Sequence, residues 1–166
     1  MRGGENMKKL RKGLPTGFTL IELLVVIGVI AILAAIVLVA VNPGRQFSQA
    51  RDTQRRADLY SLTNAVYQFA AEHNGNLPDT DADDATSNFP TTATCIGTNT
   101  PTCFNLAAAG NAASTETVVP TYIAGMPTDP STGTAANTQY TILQDANGRV
   151  VASASGELTA TITVTR

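Results

Sequence analysis

An apolar run extends from Phe18 to Val41, and Glu22 is the only charged residue inside it. The run contains about 24 residues and would measure about 36 Å as a helix, enough to cross a hydrocarbon core of about 30 Å. A charged side chain within a membrane span costs about 2.5 to 3.5 kcal/mol on insertion scales, and less near the ends of the span. We therefore expect the Glu22 carboxylate to have a partner.

A second helix with one apolar face is predicted after this run. Asn42-Pro43-Gly44 predicts a kink or short break near Asn42, because proline lacks a backbone donor and clashes with the preceding turn. The helical pattern resumes at Phe47 and ends near His73, before a left-handed cap at Asn74-Gly75. Its apolar stripe should pack on a sheet and consists of Leu59, Leu62, Val66 and Phe69, with Ala65 and Ala70 beside them.

The last third of the chain has the two-residue period of β-strands. The segments 140–143 and 149–153 are predicted to pair across a turn at 145–148 that ends in Asn-Gly. The segment 158–165 alternates apolar residues with threonine, which predicts a strand with one buried and one wet face. The sequence thus predicts an α+β fold, in which a long N-terminal helix packs on a small C-terminal antiparallel sheet.

A short basic leader precedes the apolar run and ends in glycine. It includes Lys8-Lys9-Leu10-Arg11-Lys12 and ends at Gly17, directly before Phe18. This order, with Glu22 near the helix start, resembles a type IV prepilin. The resemblance implies cleavage between Gly17 and Phe18 and methylation of the new amino terminus at Phe18. An ordinary secretory signal has a shorter apolar stretch, and a plain signal anchor would explain neither Glu22 nor Gly17.

The resemblance also implies the domain organisation of a pilin fold. The expected parts are a prepilin leader (1–17), a transmembrane and filament-core helix (18–41) and a soluble pilin domain (42–166). The soluble domain would comprise a helix (42–75), a variable loop region with a disulfide (76–137) and a β-meander (138–166).

The net charge of −2 hides an asymmetry, because the leader is basic. Without residues 1–17, which carry five basic residues and one acidic residue, the chain would carry about −6 and no lysine. Four of its six arginines cluster just past the apolar run, where they could face lipid phosphates: Arg45, Arg51, Arg55 and Arg56. Past Glu72 the acidic residues outnumber Arg149 and Arg166, which opposes nucleic-acid binding.

Cys95 and Cys103 flank a turn-rich stretch and are predicted to form a disulfide in a domain exported from the cytoplasm. The loop-closure relation gives about 2.5 kcal/mol for a ring of this size. A zinc site would need two further ligands, and His73, the only histidine, has no evident partner in the sequence.

Two parts of the chain contain candidate calcium ligands. Residues 79–84 alternate carboxylates like the start of an EF-hand loop, but the glycine and the final glutamate of that loop are missing. The segment 122–133 resembles the one before the sheet in type II secretion pseudopilins, in some of which acidic residues here and in the next turn bind calcium. Asp129 and Asp145 are candidates on that basis, and the alternative is that both are turn-forming aspartates. We expect no other cofactor.

The sequence suggests no catalytic constellation, so we expect a filament subunit and not an enzyme. The resemblance implies that Glu22 acts in assembly, and that the partners are other pilins, a prepilin peptidase, an assembly ATPase, a membrane platform and, before assembly, membrane lipid. The chain would be a single-pass cytoplasmic membrane protein that later joins an extracellular or periplasmic filament. The alternatives are a secretion pseudopilin, a pilin for DNA uptake and a monomeric anchored binding domain.

Overall fold

The computed structural model describes residues 17–81, 87–111 and 116–166. The chain divides into two compact units, the first ending at Asn42 and the second spanning Pro43–Arg166. The basic cluster of the leader lies outside the described residues, as do Asp83 and Asp84 of the acidic segment.

In the described part of the first unit, from residue 17 onward, lies an apolar helix, α1, which spans Leu20–Val41. Thr19 caps its start in an extended conformation, and the helix ends at Asn42, whose backbone is left-handed with φ of 42°. The predicted interruption at Asn42 is therefore confirmed. By length and composition α1 is able to cross a membrane.

The second unit begins with a long helix, α2, which spans Pro43–Glu72. The helix starts four residues earlier than the periodicity predicted, because Pro43 is well suited to a first helical position, where no backbone donor is needed. Asn74 and Gly75 adopt left-handed φ values of 57° and 90°, and the Gly75 amide donates to the Ala70 carbonyl at 2.7 Å. The predicted cap is confirmed. The predicted apolar stripe is buried, and α2 buries Arg55, Leu59, Leu62, Thr63, Ala65, Val66, Phe69 and Ala70.

Helix α2 packs on an antiparallel sheet of four strands in sequential order. The strands are β1 (Thr94–Cys95), β2 (Tyr140–Gln144), β3 (Val150–Ser155) and β4 (Thr161–Thr165), and a short helix, α3 (Val118–Thr121), precedes β2. The α+β fold and the C-terminal meander are confirmed. Strand β1 comes from the segment that the sequence predicted as loop.

The final strand is shorter than predicted. Ile162 and Val164 point into the core while the threonines between them face solvent, as the alternation indicates. The prediction that Leu158 also faces the core is wrong, since its side chain is 48% exposed. The amides of Glu157 and Leu158 each donate to the Asp52 carboxylate at 2.8 Å. Because an α2 side chain takes these donors, the segment before Thr161 forms a turn.

The segment between α2 and β2 contributes more to the core than its polar composition predicted. Its described residues supply six apolar side chains to the core, each at most 7% exposed: Phe89, Ile96, Phe104, Leu106, Ala109 and Val118. The rings of Phe89 and Phe104 meet edge to face with centroids 5.2 Å apart. This segment therefore closes the core beside α2 and the sheet.

Candidate functional site

The first candidate site is the turn that starts α1. Gly17 and Phe18 precede the helix without regular structure, and the Phe18 side chain is 86% exposed. A side chain added at Gly17 would meet none of the described residues within 4 Å. The Gly17–Phe18 peptide bond thus lies in an open segment directly before the helix.

Glu22 and Thr19 form a capping box at this turn. The Glu22 amide donates to the Thr19 hydroxyl at 3.2 Å, and the Glu22 carboxylate accepts from the Thr19 amide and hydroxyl at 3.3 Å each. A carboxylate in the first turn also interacts favourably with the positive end of the helix dipole. The structure thus gives Glu22 a capping partner in Thr19, and its expected role in assembly stays a prediction.

Helix α1 offers a continuous apolar surface to whatever surrounds it. None of its side chains is buried within the described residues of the chain. Its 22 residues extend about 33 Å at the usual helical rise. A helix of this length and composition is able to cross a membrane.

The second candidate site is a polar cluster in the folded domain, which we call the Arg55 cluster. It comprises Arg55, Asp52, Asp129, Ser131 and Glu157. The Arg55 side chain is 3% exposed, because Arg55 lies on the same buried helical face as Leu59. A buried charge on this face requires partners, because an unpaired one is strongly destabilising.

Every N–H group of the Arg55 guanidinium has an acceptor. Nε donates to Asp129 Oδ2 at 2.5 Å, and Nη2 donates to Asp129 Oδ1 at 3.3 Å and to Ser131 Oγ at 2.9 Å. Nη1 donates to Asp52 Oδ1 at 2.8 Å and to Glu157 Oε1 at 3.1 Å. The five donors of the planar fork are all used.

These contacts shift the pKa values of the acidic members in one direction. Burial raises the pKa of Asp129, but hydrogen bonds from Arg55 and from the Thr132 and Ser131 amides outweigh it and hold the pKa below its ordinary value. Burial likewise raises the pKa of Asp52, but hydrogen bonds from the Glu157 and Leu158 amides and from Arg55 outweigh it and hold the pKa below its ordinary value. Near neutral pH both groups are therefore carboxylates.

Glu157 is held by a second arginine at the solvent side. Arg51 donates from Nε and Nη2 to the two Glu157 oxygens at 2.5 Å each. Hydrogen bonds from Arg51 first, then from Ser48, Arg55 and Ser131, lower the pKa of Glu157 well below its usual range. Asp129 in turn raises the pKa of Arg55 further above its already high value. The cluster is fully ionised at neutral pH.

The disulfide predicted between Cys95 and Cys103 is present, with their Cα atoms 4.6 Å apart. It joins the edge strand β1 to the segment that carries Phe104. The Phe104 amide donates to the Cys95 carbonyl at 2.7 Å, so the ring is closed by a backbone hydrogen bond as well.

The family model described as the prokaryotic N-terminal methylation motif matches residues 16–38. This match covers the open Gly17–Phe18 bond, the Glu22 capping box and most of α1. Residues 16–38 are a prepilin signal motif. The motif is that of type IV pilins and pseudopilins, which are structural subunits, and with the single apolar helix it fits a membrane-anchored precursor. Neither a curated protein nor a solved structure matches the chain.

The four arginines past α1 lie outside the prepilin motif. The expectation that all four could face lipid phosphates is wrong for Arg55. Arg55 is buried in its cluster, and Arg51 forms an ion pair with Glu157. Arg45 and Arg56 are exposed. Asp129, which binds the buried Arg55, and Glu157, which binds both arginines, are distant from them in sequence, so composition alone could not reveal these partners.

The surroundings of Asp129 do not fit calcium. A calcium ion needs six to eight oxygen ligands at about 2.3 to 2.6 Å. Both Asp129 oxygens already bind the Arg55 guanidinium, and Oδ1 also accepts from the Ser131 and Thr132 amides at 2.8 and 3.0 Å. A divalent cation at these oxygens would lie against a positive charge.

Asp145 is likewise committed to a turn. Its Oδ1 accepts from the Asn147 and Arg149 amides at 2.9 Å each, and its Oδ2 pairs with the Arg149 guanidinium at 2.7 Å. Gly148 provides the left-handed residue of this hairpin with φ of 79°. Asp129 and Asp145 thus contact different arginines, and each is turn-forming. Among the residues that the structure describes, no three or more His, Cys, Asp or Glu form a metal-type group.

The sequence offered one signal for the Arg55 cluster that periodicity reasoning passed over. Arg55 lies four residues before Leu59, on the buried stripe, and Asp52 lies three residues before Arg55, on the same side of the helix. A cation on an apolar stripe indicates a buried partner. Nothing local in the sequence identifies Asp129 or Glu157 as that partner.

Proposed function

We propose that this chain is a structural subunit of a type IV pilus-like filament. On this proposal it is cleaved between Gly17 and Phe18, methylated at the amine of Phe18, and polymerised through α1. The observation that supports it best is the prepilin motif at residues 16–38, which coincides with an apolar helix able, by length and composition, to cross a membrane. The folded domain after Pro43 would form the filament surface.

The proposed partners follow from this role. A prepilin peptidase would cut the open bond after Gly17, and an assembly ATPase acting through a membrane platform would add subunits to the filament. Lipid would surround α1 before assembly, and the same helix of other pilins would surround it afterwards. The chain would move from the cytoplasmic membrane to an extracellular or periplasmic filament. We propose no catalytic activity and no cofactor for it.

The first experiment measures processing by the intact mass of the protein isolated from membranes. The wild type should begin at Phe18 and carry one methyl group. Gly17→Leu should retain the leader, because the larger side chain occupies the position next to the cut bond. A wild-type chain that begins at Met1 in cells containing the peptidase would contradict the proposal.

The second experiment asks whether Glu22 acts through its charge or only through its cap. Cleavage would place a positive amine at Phe18, close in sequence to Glu22, and in an apolar filament core each charge would need the other. Glu22→Ala should insert and fold yet form few filaments, counted by electron microscopy.

Glu22→Gln is the matched control, because glutamine can replace glutamate in a capping box without its charge. If pairing of charges between subunits drives assembly, Glu22→Gln should fail as Glu22→Ala does. Normal filaments from Glu22→Gln, combined with few from Glu22→Ala, would show a capping role and contradict the proposed pairing. Immunoblots of the membrane fraction establish that the variants are present in equal amounts.

The alternative is a pseudopilin that forms a short fibre within a type II secretion system, since the prepilin motif serves both kinds of subunit. A DNA-uptake pilin is a further alternative, but the acidic excess past Glu72 opposes contact with phosphates. Filaments on the cell surface that contain this chain, identified by mass spectrometry, would favour the pilus. If the wild type has no surface filaments and a strain that lacks this chain loses protein export, the pseudopilin would be favoured.

A further inference from the structure

The Arg55 cluster joins three segments that are far apart in the sequence. Asp52 belongs to α2, Asp129 and Ser131 belong to the turn before β2, and Glu157 belongs to the turn between β3 and β4. All four side chains contact one guanidinium. Without a cation at this point, three carboxylates would face one another in a mostly buried place, which is strongly unfavourable.

We propose that the Arg55 guanidinium is the structural cation of this domain, and that it holds the 129–132 turn in place of a bound calcium ion. A hard divalent cation could bridge carboxylates from several segments in the same way. Here the bridging charge is covalently part of α2, so the turn is held at any calcium concentration outside the cell.

The geometry explains why this cation is an arginine. Its five N–H groups reach five acceptors, and two of them hold both oxygens of Asp129 in a fork. Lysine has three donors on a single nitrogen and cannot reproduce a planar fork. The acceptors are therefore matched to a guanidinium and not to a point charge.

The turn that Arg55 fixes is also tied to the sheet. The Asp129 amide donates to the Thr138 carbonyl at 2.9 Å, and the Thr138 amide donates to the Ile96 carbonyl at 2.8 Å. Thr138 and Ile96 are both fully buried. Loss of the guanidinium should consequently loosen the approach to β2 as well as the turn.

The test is thermal unfolding of the full chain in detergent micelles, followed by circular dichroism with about 10 mM calcium or with a chelator. That concentration exceeds the about 1 mM at which weak extracellular calcium sites bind. We expect the melting temperature of the wild type to be the same in both conditions. A wild type that is stabilised by calcium and destabilised by the chelator would overturn the proposal.

Two variants and a control test the role of Arg55 directly. Arg55→Met should lower the melting temperature by about 10 °C, because it leaves buried carboxylates without a cation. Arg55→Lys should recover only part of that loss. Arg149→Met removes the exposed partner of Asp145, whose ion pair is accessible to water, and should cost about 2 °C or less.

A local measurement distinguishes loss of the turn from a general loss of stability. The Ser131 and Thr132 amides donate hydrogen bonds to the Asp129 carboxylate. Hydrogen exchange at these two amides should accelerate in Arg55→Met under conditions where α2 stays protected. An Arg55→Met protein as stable as Arg149→Met would overturn the proposal. So would an Arg55→Lys protein as stable as the wild type.

Discussion

Opening the ring between Cys95 and Cys103 measures how far the segment before β2 depends on its crosslink. The two cysteines are eight positions apart, so the ring contains nine residues. It includes Ile96, which is fully buried in the core. Reduction therefore removes the covalent constraint from a short segment, one residue of which is packed in the hydrophobic core.

The expected cost follows from the size of the ring. Loop-closure entropy for nine residues corresponds to about 2.6 kcal/mol in the free energy of unfolding at 25 °C. For a domain of this size, about 4 °C of melting temperature accompanies each kcal/mol, so we expect a loss of about 10 °C. The native contacts should persist in the reduced protein, because the Ile96 amide still donates to the Tyr140 carbonyl and the Phe104 amide to the Cys95 carbonyl.

The assay compares melting of the full chain in detergent with and without a thiol reductant, by circular dichroism. A Cys95→Ala, Cys103→Ala double variant should resemble the reduced wild type but melt slightly lower, since Cys103 is buried and its sulfur is lost. Exchange of the Phe104 amide in the reduced native state should remain protected. A reduced wild type that melts within about 2 °C of the oxidised protein would refute the entropic reasoning.

Three further predictions concern the core and the cluster. As pH falls below about 4 the domain should lose stability, because the pKa of Asp129 is lower in the folded than in the unfolded chain. Arg55→Met removes the guanidinium but leaves the Thr132 and Ser131 amides bound to that carboxyl, so the loss of stability with acid should be smaller in this variant. Urea titrations at several pH values measure both slopes. Phe69→Ala should cost about 3 to 5 kcal/mol in urea unfolding, since the ring is fully buried and stacks on His73. Tyr140→Phe should cost about 1 kcal/mol by the same method, because its hydroxyl donates to a half-buried Asp58 carboxylate at 2.7 Å, and no loss would mean that water replaces this bond fully.

The elements that the sequence predicted are those whose signals are local. The apolar run indicated α1, the three-and-four spacing around Leu62 indicated the buried face of α2, and the alternation through Ile162 and Val164 indicated β4. Each signal depends on residues within one or two turns or strand repeats of each other. The cap at Gly75 depends equally on local backbone geometry.

The features that were missed are set by contacts between distant segments. Leu158 has the right alternation for a strand, but Asp52, more than a hundred positions earlier, binds the amides that a strand neighbour would need. Phe89 and Phe104 lie in a polar segment with no periodicity, and only the disulfide and the edge strand show why that segment enters the core. Composition could not separate these residues from an ordinary surface loop.

Glu22 and Arg55 are each a charge on an otherwise apolar helix surface, but only Glu22 was recognised from the sequence. Glu22 was identified because its whole neighbourhood in the sequence is apolar, whereas Arg55 lies on a stripe whose other side is polar. Arg55 has a full set of acceptors within the fold, so it contributes to one folded domain. Among the residues that the structure describes, Glu22 accepts from the Thr19 amide and hydroxyl at 3.3 Å, both at Oε2, which uses about two of the roughly four acceptor positions of a carboxylate. On the proposed mechanism, Glu22 pairs with an amine of another subunit. The stabilisation gained is smaller by the free energy that the hydrogen bonds of the capping box already contribute. That is why the charge-free variant that keeps the cap is the decisive one.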